Sequence, residues 1–176
     1  KMVEDLMNPI SLMDGDSLPV SAFVHNPDGQ FEQGASAYEK RGTAVTVPTW
    51  DAAKCIQCNQ CAFVCSHATI RPFMLSEDEV KAAPANIKLA DTKPKAGEYK
   101  YTMSVSPLDC MGCGECITVC PVGAIEMVPQ ESQAEEQPVF DYLVANVGKK
   151  PGMPADNTVK GSQFNQPLLE FSGSCA

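Results

Sequence analysis

Apolar and polar positions alternate most regularly over 99–105. Tyr99, Tyr101, Met103 and Val105 fall on one face, with Lys100, Thr102 and Ser104 on the other. A period of two predicts a half-buried strand there. Over 139–147 the period changes: Val139, Phe140, Leu143, Val144 and Val147 keep helical spacing, and Gly148, Lys149, Lys150 and Pro151 suit the end of a helix. Ser76 with Glu79 fits a capping box opening a short helix to about Ala83, before Pro84. The β-prone stretch 43–47 ends at Pro48. Val3–Met7 predicts a helical turn stopped by Asn8-Pro9, and Asp14-Gly15 and Asp28-Gly29 predict turns. The acidic stretch 130–137 reads as an exposed connection. The chain after the last helix reads as extended, with few elements of its own.

Composition narrows the class. The 176 residues carry a formal charge of −9, which argues against a nucleic-acid partner. Most of the acidic excess reads as a solvated surface. No apolar run is long enough for a membrane span, and no basic start with an apolar middle suggests a secretory signal. The expectation is a cytoplasmic protein without a membrane partner.

The chemistry lies in the cysteines. Eight of the nine form two runs of one spacing, C-x2-C-x2-C-x3-C: Cys55, Cys58, Cys61, Cys65 and Cys110, Cys113, Cys116, Cys120. The stretches 55–70 and 110–125 align without a gap, with Val64 matching Val119 and Ile70 matching Ile125. A short helical turn is expected before the fourth cysteine of each run, and a strand opening at each isoleucine. Zinc is a rival, because C-x2-C pairs also bind zinc, but zinc sites separate two pairs by a longer loop and need no third cysteine. Disulfides are a second rival, with poor geometry for so tight a cluster of thiols.

These runs resemble those of bacterial two-cluster ferredoxins, which hold two [4Fe–4S] cubanes and in which the fourth cysteine of a run ligates the other cluster. The resemblance implies one cluster on Cys55, Cys58, Cys61 and Cys120, and a second on Cys110, Cys113, Cys116 and Cys65. It also implies an α+β ferredoxin-like fold with a pseudo-twofold repeat, plus extended flanking segments. Phe63, Val64, Ile70, Ile117, Val119 and Ile125 are the expected apolar wall. The first run is followed by Ser66-His67 where the second has Pro121-Val122. The Ser66 hydroxyl and N–H are therefore expected to point at a cluster sulfur and raise its potential. His67 is expected at the surface or behind the ligands, and His25 as a structural residue.

The flanks carry a more specific resemblance. KMVEDLMNPISLMDGDSLPVSAF, YEKRGTAVTVP, CIQCNQCAFVC, APANIK, LDCMGCGECITVCP and KGSQFNQPLLEFSGSCA are similar to the ferredoxin-like segment of pyruvate:ferredoxin oxidoreductases. That resemblance implies a segment of a homodimeric enzyme, without a catalytic site of its own. The enzyme would convert pyruvate to acetyl-coenzyme A on thiamin diphosphate and Mg2+, which bind elsewhere together with pyruvate and coenzyme A. Electrons would leave through three [4Fe–4S] clusters to ferredoxin or flavodoxin. Cys175 matches the first ligand of the third cluster, a site incomplete in this chain. The start at Lys1 and the end just after Cys175 lead to the same expectation of a larger parent. The implied division is 1–42 as a flank packing on the parent, 43–130 as the two-cluster domain, and 131–176 as the connection to the thiamin domain. A relative acting on another 2-oxoacid and a free-standing ferredoxin-type carrier remain the alternatives.

Overall fold

The computed structural model describes residues 2–32, 35–93 and 98–166. The chain divides into two compact units, one built on Lys1–Arg41 and one starting at Gly42.

In the first unit, Val3–Met7 winds as a π-helix that ends with the Asn8 N–H donating to Val3 O. Helix α1 (Asn8–Ser11) follows directly, so the expected stop at Asn8-Pro9 does not occur. Pro9 sits in the first turn of α1, where the N–H it lacks is not needed. Single 3₁₀ turns follow at Gly15–Ser17, Val20–Phe23 and Ala35–Tyr38. The turn at Asp28-Gly29 forms as expected, with Gly29 at φ +77° and its N–H donating to Asn26 O.

The second unit runs β1 (Thr46–Trp50), α2 (Gln60–Val64), β2 (Ile70–Leu75), α3 (Glu77–Ala82), β3 (Ala90–Asp91), β4 (Lys100–Val105), α4 (Glu115–Thr118), β5 (Ile125–Pro129), α5 (Glu136–Asn146) and α6 (Val159–Ser162). β1 and β5 form an antiparallel pair with Trp50 opposite Ile125. β2 and β3 flank β4, with Ile70 opposite Val105. Pro48 lies inside β1 rather than ending it. In a two-stranded sheet each strand has a free edge, and a proline there forfeits no ladder bond.

β4 departs from its half-buried expectation. Tyr101, Met103 and Val105 pack into one core cluster with Trp50, Cys61, Cys116 and Phe164, yet Thr102 and Ser104 are buried too. The reason is α5, which contacts β4 and closes a second cluster in which Val139, Leu143 and Val147 meet Phe73 and Leu75. The capping box forms as expected, with the Ser76 N–H donating to Glu79 Oε2 at 2.7 Å and the Glu79 N–H to Ser76 Oγ at 3.4 Å.

Two polar stretches are more ordered than their composition suggests. Within 130–137, a 3₁₀ turn occupies Gln130–Gln133 and α5 already begins at Glu136. Gln137 is buried: its Oε1 accepts from Ser106 Oγ and the Leu108 N–H, and its Nε2 donates to Asp141. After α5 the chain forms α6 and buries Phe164 edge-on against Tyr101, with ring centroids 6.4 Å apart. Among the described residues, no helix is long and apolar enough to cross a membrane.

Candidate iron–sulfur site

The two cysteine loops share one backbone device. Gln57 and Asn59 have φ of 60° and 63°, and Gly112 and Gly114 have φ of 71° and 79°. Each pair lies two and four residues after the first cysteine of its run. These left-handed steps turn the chain back on itself. The Gln57 N–H donates to Cys55 Sγ at 3.3 Å, and the Gly112 N–H to Cys110 Sγ at 3.4 Å. Helices α2 and α4 then begin, carrying the buried Cys61 and Cys116.

The loops meet the left-handed requirement differently. Gly112 has no alternative, since a Cβ there would stand 2.9 Å from Thr46 O. Gln57 and Asn59 are residues with side chains in a conformation that favours glycine, and both are buried. Their amides bond to distant backbone. Gln57 donates to Asp91 O and accepts from the Lys93 N–H, both at 2.7 Å. Asn59 donates to Lys160 O at 2.9 Å and accepts from the Tyr101 hydroxyl at 2.7 Å. Sequence reasoning missed these two residues. The ungapped repeat held the signal, because it places them opposite Gly112 and Gly114.

The structure brings the eight cysteines together in two fours. One cavity is lined by Cys55, Cys58, Cys61 and Cys120, with Ile56, Met103 and Ile125 in its wall. A second is lined by Cys65, Cys110, Cys113 and Cys116, with His67, Thr69 and Ile70. Each therefore takes three cysteines from one run and one from the other. Among the described residues, no three Cys, His, Asp or Glu close on a position for one metal ion. Thiols spread round a cavity suit a multi-iron core better than a tetrahedral zinc.

Several expected neighbours move. Ile70 and Ile125 are buried and line the cavities, but Phe63 is 59% exposed and no part of the wall. Val64, Ile117 and Val119 are half-buried. Ser66 is exposed, and its Oγ pairs with His67 Nδ1 at 3.2 Å rather than with a cysteine. Thr69 takes that place, with its Oγ1 3.4 Å from Cys65 Sγ. At the matching position of the other half, the Ala124 N–H donates to Cys120 Sγ at 3.2 Å. His67 is buried against the second cavity, and His25 is exposed. Cys175 lies outside the described residues.

Comparison with known proteins follows this division. Residues 54–124 match a 4Fe-4S dicluster domain, and residues 1–44 match a domain of unknown function named EKR. A pyruvate-flavodoxin oxidoreductase of Klebsiella pneumoniae is 48% identical over 99% of the chain, which covers 15% of that protein. A pyruvate:ferredoxin oxidoreductase of Moorella thermoacetica is 46% identical over all of the chain, again 15% of the relative. A pyruvate dehydrogenase (NADP+) of Cryptosporidium parvum is 45% identical over 99% of the chain, 9% of its length. Over nearly its whole length the chain is similar to one segment of pyruvate:ferredoxin and pyruvate-flavodoxin oxidoreductases. It spans only 9–15% of the length of these relatives.

With its 4Fe-4S dicluster domain at 54–124, the chain carries two [4Fe–4S] clusters. The donor chemistry fits: each cavity offers four thiols, the ligands such clusters use. Burial pushes the Cys61 and Cys116 thiols up to about 12, with nearby Cys55 and Cys110 adding to the effect. Cys110 rises as well, again mainly by burial, against the opposing Gly112 N–H. Cluster binding requires these thiols as thiolates, so metal takes the place of their protons.

Proposed function

We propose that the chain is the electron-relay segment of a larger oxidoreductase that decarboxylates pyruvate to acetyl-coenzyme A and CO2. The observation that carries this reading is the pair of cavities, each framed by four cysteines drawn crosswise from the two runs. One cluster is assigned to Cys55, Cys58, Cys61 and Cys120, the other to Cys65, Cys110, Cys113 and Cys116. The clusters supply one-electron redox capacity at low potential. The protein's own contribution is placement, N–H and hydroxyl donors to sulfur, and a dry wall. The matching strand starts at Ile70 and Ile125 support a pseudo-twofold arrangement of the halves.

Pyruvate, coenzyme A, thiamin diphosphate and Mg2+ are assigned to the rest of a homodimeric parent, with ferredoxin or flavodoxin as acceptor in the cytoplasm. In the same reading 1–42 packs on the parent, 43–130 is the two-cluster domain, 131–176 leads to the thiamin domain, and Cys175 ligates a third cluster there. A second reading of the acceptor has its own support. Relatives named for NADP+ are 45% and 40% identical over 99% of this chain, so one relay segment serves parents with different electron exits.

Anaerobic iron and sulfide analysis with EPR of the dithionite-reduced protein tests the assignment. The segment should account for eight irons and eight sulfides, and its reduced spectrum should show two interacting clusters. Zinc in place of iron, or disulfides between the paired cysteines, would defeat it.

A further inference from the structure

Lys93 holds the first cysteine loop at two points. Its backbone N–H donates to Gln57 Oε1 at 2.7 Å, and its Nζ donates to the Cys55 carbonyl oxygen at 3.0 Å. Lys160 is bonded behind it: the Lys160 carbonyl accepts from Asn59 Nδ2 at 2.9 Å, and its Nζ donates to Lys93 O. An ammonium group therefore sits on a residue that lines the cavity of Cys55, Cys58, Cys61 and Cys120. Lys54, just before Cys55, adds little, because it pairs with Asp51 at 3.3 Å and the two charges cancel.

The second loop carries the opposite sign. Glu115 lines the cavity of Cys65, Cys110, Cys113 and Cys116. In the ungapped repeat it takes the position that Gln60 holds in the first run. Asp109 stands just before Cys110, where the first run has Lys54. It is buried, and its Oδ2 accepts from Ser106 Oγ at 2.6 Å.

Uncharged donors to sulfur are closely matched. On the first side the Gln57 and Ala124 N–H groups donate to Cys55 and Cys120. On the second, the Gly112 N–H donates to Cys110, and Thr69 Oγ1 stands 3.4 Å from Cys65 Sγ. Charge is what separates the two sides.

We infer that Lys93 and Glu115 split the potentials of the two clusters, placing the cluster of the Cys55 cavity higher and that of the Cys65 cavity lower. This rests on the reading that the two cavities hold the clusters. Reduction adds the negative charge of one electron to a cluster. The Lys93 ammonium on the Cys55 carbonyl stabilises the reduced form, and the Glu115 carboxylate opposes it on the other side. A single electron entering the segment then settles on the Cys55 side. Lys93 and Glu115 are both exposed, so water and salt screen them, and the split is sensitive to ionic strength.

A potentiometric EPR titration of the anaerobically purified full-length protein tests this, with iron counted in every variant. Cys113→Ser perturbs the cluster of the Cys65 cavity and so assigns the two couples. Lys93→Gln should make the cluster of the Cys55 cavity harder to reduce by about threefold in the reduction equilibrium, or about 28 mV at 59 mV per tenfold for a one-electron couple. The other potential should stay in place. Glu115→Gln should raise the potential of the Cys65 cavity by a similar amount. Lys93→Arg keeps the charge and should hold both potentials at wild type. Added salt should narrow the gap in the wild type more than in the double variant Lys93→Gln/Glu115→Gln. Lys93→Gln with its iron intact and unchanged potentials would overturn the inference. So would a Lys93→Arg shift as large as that of Lys93→Gln, or a wild-type protein in which the Cys65 cavity is the easier to reduce. Should Lys93→Gln lose iron, Glu115→Gln decides, and an unmoved potential there overturns the inference. Fewer than eight irons in the wild-type protein would instead defeat the cluster assignment beneath it.

Discussion

The Tyr101 hydroxyl donates to Asn59 Oδ1 at 2.7 Å in a fully buried contact, joining the central strand to the first cysteine loop. The bond restrains a left-handed residue one position after Cys58. Tyr101→Phe keeps the ring packing against Trp50 and Phe164 but leaves the Asn59 oxygen without its donor. An unsatisfied buried acceptor costs about 1–3 kcal/mol. The melting temperature should fall, and iron should leave the cluster of the Cys55 cavity faster under chelator than that of the Cys65 cavity. Equal release rates would count against a local role.

The two glycines of the second loop make a contrast. Gly112→Ala places a Cβ 2.9 Å from Thr46 O, a backbone atom, at a positive φ. Gly114→Ala meets nothing within 4 Å and bears only the strain of its φ of +79°, about 1 kcal/mol. Gly112→Ala should lose the cluster of the Cys110 loop during purification, whereas Gly114→Ala should retain eight irons with a small drop in melting temperature. Iron analysis of the two proteins side by side checks this.

Thr69, not Ser66, is the residue whose hydroxyl reaches a cysteine sulfur, that of Cys65. Donors to sulfur raise the reduction potential. Thr69→Val should lower the potential of the cluster proposed for the Cys65 cavity and leave the other within error. Ser66→Ala should leave both where they were, because its hydroxyl faces His67. Voltammetry on the three proteins separates these outcomes, and a Thr69→Val protein with wild-type potentials would rule the hydroxyl out.

Glu79 gives stability an acid limb. Burial raises its carboxyl, but the Ser76 N–H and the Lys150 ammonium outweigh that and hold it below its ordinary 4.5. A carboxylate depressed in the folded state contributes stability fully above its unfolded value, and loses it as pH falls through the folded one. Glu79→Gln should cost about 1 kcal/mol at neutral pH. It should also flatten the fall in melting temperature below about pH 4.5. An unaltered acid limb in thermal scans would argue against the assignment.

The sequence made the local signals legible. The cysteine spacing, the capping box at Ser76 and the helical spacing of Val139, Leu143 and Val147 all depend on residues a few positions apart, and all appear in the structure. What it hid was non-local. Nothing in β4 announces that α5 will cover Thr102 and Ser104. Nothing near Gln163 announces that Arg71, 92 residues away, will order the segment. Phe63 read as wall because it is aromatic and lies between two cysteines. The short α2 turns it outward and buries Cys61 and Ala62 instead. Gln57 and Asn59 show the subtler failure: ordinary polar residues occupy positions that the repeat reserves for glycine, held by partners in β3, β4 and α6.

That difference has a consequence for engineering. Equal spacing makes the halves look like duplicate parts, yet a transplant of 55–65 into the place of 110–120 would drive a glutamine side chain into the Thr46 carbonyl. The reverse graft would strip the first loop of the Gln57 and Asn59 side-chain bonds to Asp91, Lys93, Tyr101 and Lys160. Symmetrised versions of this module, built by copying either half twice, should therefore mature poorly even with all eight thiols in register.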